Sequence, residues 1–187
     1  MNTEIRHPSN YTPDWAPFSV AVRGSKPIAP RPVETKDGIG DRLRAAAFAE
    51  LQAREAFLWG ADYFKDASDE IRAAWRKLSI EEDKHLNWLL KRMNELGISI
   101  TERPVSDHLW LSFGRCKDAR EFSLFMASAE ERGRRAGNRV QEAIKESDPE
   151  SSRIFREIAF EEISHVEMAL KYYPDLKAEL QIKMGPN

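Results

Sequence analysis

The stretch EEDKH at residues 81–85 returns 80 positions later as EEISH at residues 161–165. In each copy a glutamate is followed three residues later by a histidine, as Glu82 with His85 and Glu162 with His165. Side chains three positions apart on an α-helix project from the same face. Each copy therefore predicts a helix that presents a carboxylate and an imidazole side by side.

Two further glutamates extend this repeat. Glu50 precedes Glu82 by 32 residues, and Glu130 precedes Glu162 by the same 32 residues. Other identical residues share the 80-residue offset, namely Glu81 and Glu161, Leu90 and Leu170, and Lys91 and Lys171. Self-similarity at a fixed spacing indicates repeated structural units. We therefore predict a duplicated helix pair with pseudo-twofold symmetry about the glutamates.

Apolar residues around these glutamates recur at steps of three and four, which indicates four amphipathic helices. The predicted helices cover residues 41–64, a second segment from Ser68 or Asp69 to Gly97, a third from Asp118 to about Ile144, and a fourth from Asp148 to Pro174. The connection at residues 98–117 is too long for a hairpin and can cross to the far end of the helices. The sequence thus predicts an all-α four-helix bundle with a long crossover between helices 2 and 3.

The chain divides into three predicted regions. Residues 1–40 form an extended arm, because six of the ten prolines lie in residues 1–36 and exclude a long helix there. The arm also contains Trp15, Phe18, Val20 and Val22, so we expect it to wrap the bundle or a neighbouring subunit. Residues 41–174 form the bundle, and residues 175–187 are predicted to be a C-terminal tail.

Composition excludes several classes of function. The 187 residues hold 29 basic and 31 acidic side chains, a balance that does not indicate a nucleic-acid or membrane surface. No apolar run approaches the roughly 20 residues that span a bilayer. A single cysteine excludes an internal disulfide framework, and the N-terminus lacks the apolar region of a secretory signal. We expect a cytoplasmic protein.

The glutamates occupy the middle of otherwise apolar stripes. A buried carboxylate must be protonated, ion-paired or bound to a metal, since an unpartnered buried charge is very costly. Six residues are predicted to bind two metal ions and to carry the catalysis: Glu50, Glu82, His85, Glu130, Glu162 and His165. Iron is the expected metal, as Fe/Fe or Fe/Mn. The alternatives are interhelical ion pairs among these residues, and surface positions for Glu50 and Glu130.

Residues beside the predicted ligands allow two interpretations each. Glu81 and Glu161 are either solvated or hydrogen-bonded to the histidine N–H groups. Ala53 and Gly133 lie one turn beyond Glu50 and Glu130. Gly133 lowers helix propensity, so it serves either close helix packing or a small cavity next to the metals.

Several stretches resemble the ferritin-like superfamily: FAELQAREA (48–56), EEDKH (81–85), SDHLW (106–110), AEERG (129–133) and EEISHVE (161–167). The chain is most similar to an uncharacterised bacterial ferritin-like family that is related in pattern to tRNA-modifying di-iron hydroxylases. The resemblance implies a ferritin-like four-helix bundle and the same six ligands. It differs from the rubrerythrin pattern at Gly133, where that pattern has a further glutamate, and this argues against a rubrerythrin-type peroxidase.

The leading functional hypothesis is a di-iron or iron–manganese carboxylate enzyme that activates dioxygen or peroxide to oxidise or hydroxylate a substrate. The alternative is a ferroxidase or a metal storage or detoxification protein. A third class is a structural or partner-binding bundle with a vestigial site. Expected partners are a small-molecule oxidant and a substrate that the sequence does not identify, with a homodimer as one expected assembly. Nucleic acid and membrane partners are not expected.

Overall fold

The computed structural model describes residue 7, residues 13–22, residue 25 and residues 28–185. The described chain contains six helices: α1 (Lys36–Tyr63), α2 (Asp69–Glu95), α3 (His108–Phe113), α4 (Ala119–Ile144), α5 (Pro149–Tyr172) and α6 (Leu176–Met184). Extended pairing within these residues is limited to one isolated bridge between Val20 and Val105. The prediction of an all-α protein is confirmed. None of the described helices combines the length and apolarity that a membrane span needs.

Capping side chains set the starts of α2, α4 and α5 where the sequence predicts them. Ser68, Asp118 and Asp148 each accept a hydrogen bond from a backbone N–H three residues later. Such caps satisfy N–H groups that have no partner within the helix. Pro149 follows Asp148 at the first helical position, where its missing N–H costs nothing.

The predicted start of the first helix at Asp41 is wrong. The helix begins at Lys36, because the Thr35 side chain accepts a hydrogen bond from the Gly38 N–H and caps it there. A Cβ atom on Gly38 would lie 1.8 Å from the carbonyl oxygen of Pro32. The glycine therefore allows the arm to pass close to the helix and does not break it.

The long helices form two antiparallel pairs, α1 with α2 and α4 with α5, in a bundle-like arrangement. At one end of the bundle the Phe122 ring of α4 packs against Phe64 at the end of α1 and Trp75 of α2. Towards the other end Arg92 of α2 donates a 2.6 Å hydrogen bond to Asp148, which caps α5. The two pairs therefore share one core along their length.

The connection between α2 and α4 runs along the bundle from end to end. Ile98 packs beside Gly40 near the start of α1, and the Trp110 N–H donates to the Gln52 side chain in its middle. The Ala119 N–H donates to Asp66 just beyond the end of α1. The predicted crossover is present, and it contains the short helix α3, which the sequence analysis did not predict.

The N-terminal arm agrees with its prediction, whereas the segment after α5 does not. Trp15 and Phe18 of the arm are buried against Phe48, as the prediction of a wrapping arm requires, and Val20 is half-buried, but Val22 is exposed. Residues 175–187 were predicted to be a tail, but residues 176–184 form α6, whose Leu176 and Leu180 are buried beside α4. The arm prolines Pro8 and Pro27 and the last two residues, 186–187, lie outside the described residues.

A buried ion cluster ties the arm and the crossover to α1. Asp41 accepts hydrogen bonds from Arg31 of the arm, from Arg44 of α1 and from Arg103 of the crossover. Burial by itself raises the pKa of Asp41, but the hydrogen bonds from Arg31 and Arg103 outweigh it and hold this pKa well below its usual range. Asp41 therefore remains ionised inside the fold.

Candidate metal centre

Four glutamates and two histidines meet in the middle of the bundle. Each of the four long helices contributes one glutamate, and α2 and α5 each add a histidine. Glu82, His85, Glu162 and His165 are buried, Glu130 is 7% exposed, and the Glu50 side chain is 12% exposed. These exposures exclude surface positions for Glu50 and Glu130.

The donor atoms form two overlapping sets. One consists of Glu50, Glu82, His85 and Glu162, and the other of Glu130, Glu82, His165 and Glu162. Within each set the potential ligand atoms all lie within 4.8 Å of one another. Glu82 and Glu162 belong to both sets, so each could bridge two cations while a further glutamate and a histidine complete each position.

The inward-facing Nδ1 atoms of the histidines lie close to the shared carboxylates. His165 Nδ1 is 2.8 Å from Glu82 Oε1 and 3.1 Å from Glu162 Oε2. His85 Nδ1 is 3.4 Å from Glu162 Oε1 and 3.9 Å from Glu82 Oε2. Donors from both helix pairs thus converge on a small volume.

The outward-facing Nε2 atoms contact the glutamates that precede the ligands, and they do so crosswise. His85 Nε2 lies 2.7 Å from Glu161 Oε2, and His165 Nε2 lies 2.9 Å from Glu81 Oε2. Of the two interpretations of Glu81 and Glu161, the structure supports hydrogen bonding to the histidines. A proton held on Nε2 by these carboxylates leaves the Nδ1 lone pair facing the centre.

Several buried polar atoms at the centre lie close to one another without forming a well-aligned hydrogen bond. Among the described residues, several buried atoms of the cluster have no hydrogen bond: both carboxylate oxygens of Glu82, one oxygen each of Glu130 and Glu162, and Nδ1 of each histidine. Unsatisfied buried polar groups are rare because each one costs free energy. The donor set and these buried atoms without hydrogen bonds together fit a pair of divalent cations.

The pKa values of the buried glutamates reflect how closely the carboxylates and imidazoles lie to one another. Burial, and then the neighbouring charge of Glu162, raise the pKa of both Glu82 and Glu130. Burial also acts to raise the pKa of Glu162, but the adjacent His165 and His85 reverse this and lower it. Crowding thus favours the anionic form of Glu162 and the neutral forms of Glu82 and Glu130.

Both histidines bind their protons more strongly than usual. Burial lowers their pKa values, but the carboxylates of Glu162 and Glu50 raise the pKa of His85 to about 10, and Glu162 and Glu130 raise that of His165 to about 9. Metal ligation requires neutral imidazole and ionised carboxylate, so a cation that enters the cluster displaces protons.

A cavity of about 290 Å³ lies between α1 and α4 and reaches the cluster at Glu50, Glu130 and Glu162. A Cβ atom added to Gly133 would have no neighbour within 4 Å. Gly133 is exposed and lines this solvent-open cavity, which favours the cavity interpretation over close helix packing.

Sequence reasoning missed two residues near the centre. Lys84 forms an ion pair with Glu161, the carboxylate that contacts His85. The sequence could have indicated Lys84, because this residue lies inside the EEDKH stretch at residues 81–85. Arg42 lines the cavity two helical turns before Glu50, and its place in the predicted helix at residues 41–64 already put it near that face.

Comparison with known proteins adds independent information. The family model described as "Protein of unknown function (DUF455)" matches residues 4–185. The chain belongs to the DUF455 family. A 3-demethoxyubiquinol 3-hydroxylase from Dechloromonas aromatica (strain RCB) is 28% identical over 153 residues, which cover 78% of this chain and 72% of that protein. No solved structure matches.

These matches bear out the predicted resemblance in part. The expectation of an uncharacterised family agrees with the description of DUF455. The curated relative is a hydroxylase, as the resemblance implied, although its named substrate is a demethoxyubiquinol and not a tRNA. For this DUF455 chain the comparisons thus support distant kinship to a hydroxylase.

Proposed function

We propose that this DUF455 chain is a dinuclear non-haem metal oxygenase of ferritin-like topology. It would use dioxygen or peroxide to hydroxylate or oxidise an organic substrate. The observation that carries the proposal is the pair of buried donor sets that share Glu82 and Glu162. Two antiparallel helix pairs joined by a long crossover also agree with the ferritin-like arrangement.

The six residues named from the sequence would hold the metals. Glu82 and Glu162 would bridge, while Glu50 with His85 and Glu130 with His165 would complete the two positions. Carboxylate and imidazole donors without thiolate suit iron or manganese, so we propose Fe/Fe or Fe/Mn. When bound, the metals supply the electrons that reduce the oxidant.

The surrounding residues prepare the centre for this chemistry. Glu81 and Glu161 hold the imidazole rings in position through their Nε2 atoms. Burial of Glu82 and the histidines excludes bulk water from one side of the cluster. The cavity at Glu50, Glu130 and Glu162 leaves the other side accessible to a small molecule. The chain thus combines fixed ligands with one open approach.

Two observations favour oxidation of an organic substrate over metal storage. The curated relative is named as a hydroxylase, and the cavity next to the glutamates is lined largely by apolar side chains. A route for hydrated iron would be expected to carry acidic side chains along its length. Ferroxidase or storage activity remains the alternative that the experiment below tests.

Metal analysis tests the proposal. Protein loaded anaerobically with Fe(II) and desalted should retain about two iron ions per chain, because there are two donor sets. Glu162→Ala should lose most of this iron, since Glu162 belongs to both sets, and His165→Ala should lose at least one ion. Circular dichroism should show unchanged helicity, and Glu167→Ala, which alters an exposed glutamate on the same helix, should retain the iron.

Two outcomes would contradict the proposal. If the wild-type protein retained neither iron nor manganese, the proposed metal centre would be contradicted. Uptake of many iron ions per chain, together with a large assembly by light scattering, would indicate storage. A monomer or homodimer with two metals that consumes dioxygen over repeated turnovers only with reductant present would support the enzyme.

A further inference from the structure

The cavity between α1 and α4 has a charged side chain at the end far from the glutamates. Arg42, Ala45, Ala46, Ala49, Glu50 and Ala53 follow one face of α1 and line it. Ala129, Gly133, Ala136, Gly137 and Val140 line the facing side of α4. Small side chains on both helices leave an apolar space with Arg42 at one end and Glu50 and Glu130 at the other.

Arg42 differs from the other half-buried or buried arginines. Within the described chain, each of the others has a carboxylate oxygen within 4.0 Å, namely Arg31, Arg44, Arg54, Arg72, Arg92, Arg103, Arg120, Arg134 and Arg135. For Arg42 no described carboxylate lies at that distance, and its recorded hydrogen bond is from Nη1 to the Arg31 carbonyl oxygen, at 3.1 Å. A guanidinium carries five N–H donors, so most of those of Arg42 are available to an anion.

The spacing along α1 separates the two ends of the cavity. Arg42 precedes Glu50 by eight residues, which corresponds to about 12 Å of helix axis. With two divalent cations bound, the four carboxylates at the Glu50 and Glu130 end are neutralised, whereas Arg42 places a positive charge without a partner among the described carboxylates at the other end. A bound acid is therefore oriented with its apolar end towards the glutamates.

We propose that this cavity binds an amphipathic organic acid, whose carboxylate pairs with Arg42 and whose apolar part extends to Glu50 and Glu130. A volume of about 290 Å³ suits a single ring or a short chain. Arg42 is then a specificity-determining residue that positions the substrate. The proposal rests on the proposed function for the reaction, but the binding of the acid can be measured separately.

Calorimetric titration with octanoate and octanol tests this, because the two probes share an apolar chain and differ in charge. Metal-loaded protein should bind octanoate with one site per chain and at least tenfold more tightly than octanol. Arg42→Gln should abolish this preference, and Arg42→Lys, which keeps the charge, should retain most of it. Arg139→Gln, at an exposed arginine on α4 that does not line the cavity, is the matched control and should bind as wild type.

Gly133→Leu should block both probes, since its side chain would occupy the cavity. Octanoate binding that is absent in wild type, unchanged in Arg42→Gln, or unaffected by Gly133→Leu would overturn the inference. Metal content is measured on the same samples. Wild-type protein that retains no metal but still prefers octanoate to octanol would contradict the proposed function alone. Wild-type protein that retains two metals but shows no such preference would contradict the substrate inference alone.

Discussion

At the scale of single residues, Glu81 and Glu161 explain how the imidazoles are held. Each lies one position before a predicted ligand and contacts the histidine of the other helix pair. The repeat spacing predicts all six donors, because identity of residue and offset can be read from the sequence alone. The crosswise pairing cannot be read in this way, since it depends on the register of α2 against α5.

Glu81→Gln should weaken metal binding without removing a ligand. Loss of the charged partner leaves the His165 ring less basic and less firmly oriented, and such changes typically lower metal affinity by about 10- to 100-fold. Competition with a chelator measures the affinity directly. Glu161→Gln should act similarly through His85.

Glu167→Gln is the matched control, because Glu167 is an exposed glutamate on α5 that is absent from both donor sets. Its iron affinity should equal that of wild type. Equal affinities in Glu81→Gln and wild type would show that the contact with His165 does not influence the metal.

At the scale of helices, two glycines on facing elements have opposite roles. Gly60 of α1 lies against the Phe122 ring of α4, and a Cβ atom there would approach that ring to 2.6 Å. Gly133 of α4 faces the cavity, where a Cβ atom meets nothing within 4 Å. Helical periodicity predicts that both lie on the inner seam, but only the distances between helices separate close contact from open space.

Substitution of Gly60 and of Gly133 by alanine should therefore change the free energy of unfolding in opposite directions. Gly60→Ala should lower the free energy of unfolding by about 1–3 kcal/mol, because the ring or the helix must shift. Gly133→Ala should raise it by up to about 1 kcal/mol through helix propensity. Urea denaturation measures both changes, and destabilisation by Gly133→Ala would contradict the open space around Gly133.

Helix bounds were predictable where capping side chains mark them, as at Ser68, Asp118 and Asp148. The predicted start of the first helix at Asp41 is wrong because Gly38 and Gly40 lower helix propensity, which disfavours a helix there when only local sequence is considered. Their role depends on the passage of Pro32 and on the contact with Ile98, both of which are tertiary. The short helices α3 and α6 were also missed, since each has too few turns for a clear periodic pattern.

At the scale of the whole molecule, the Asp41 cluster joins segments that are distant in sequence. Arg31, Arg44 and Arg103 converge on this buried carboxylate from the arm, α1 and the crossover. The sequence predicted a wrapping arm from its aromatic residues, and burial of Trp15 and Phe18 agrees with this. The ion cluster could not be predicted, because its members share no spacing or motif.

Asp41→Asn should lower the free energy of unfolding at neutral pH by about 1–3 kcal/mol, since it removes the negative charge shared by the buried Arg44 and the half-buried Arg31 and Arg103. The pKa of Asp41 is lower in the folded chain than in the unfolded chain, where it is about 3.9. The stabilisation is therefore complete above that pH and declines as the pH falls below it.

Denaturant unfolding of wild type and Asp41→Asn at neutral pH and below a pH of about 3.9 measures the effect. The difference between their free energies of unfolding should become smaller at the lower pH. Asp37→Asn removes an exposed partner of Arg31 and should change stability little. A difference that is independent of pH would contradict the role of the ionised Asp41.

The crosswise contacts between histidines and glutamates also constrain the order of events in synthesis. When the ribosome has completed α2, Glu82 and His85 exist, but the carboxylate that orients His85 lies 76 residues further along the chain, at Glu161. A nascent chain can therefore hold a cation only loosely until α5 has emerged and docked. Tight metal binding is thus expected only after α5 has emerged and docked, when the ions enter a bundle that is already folded.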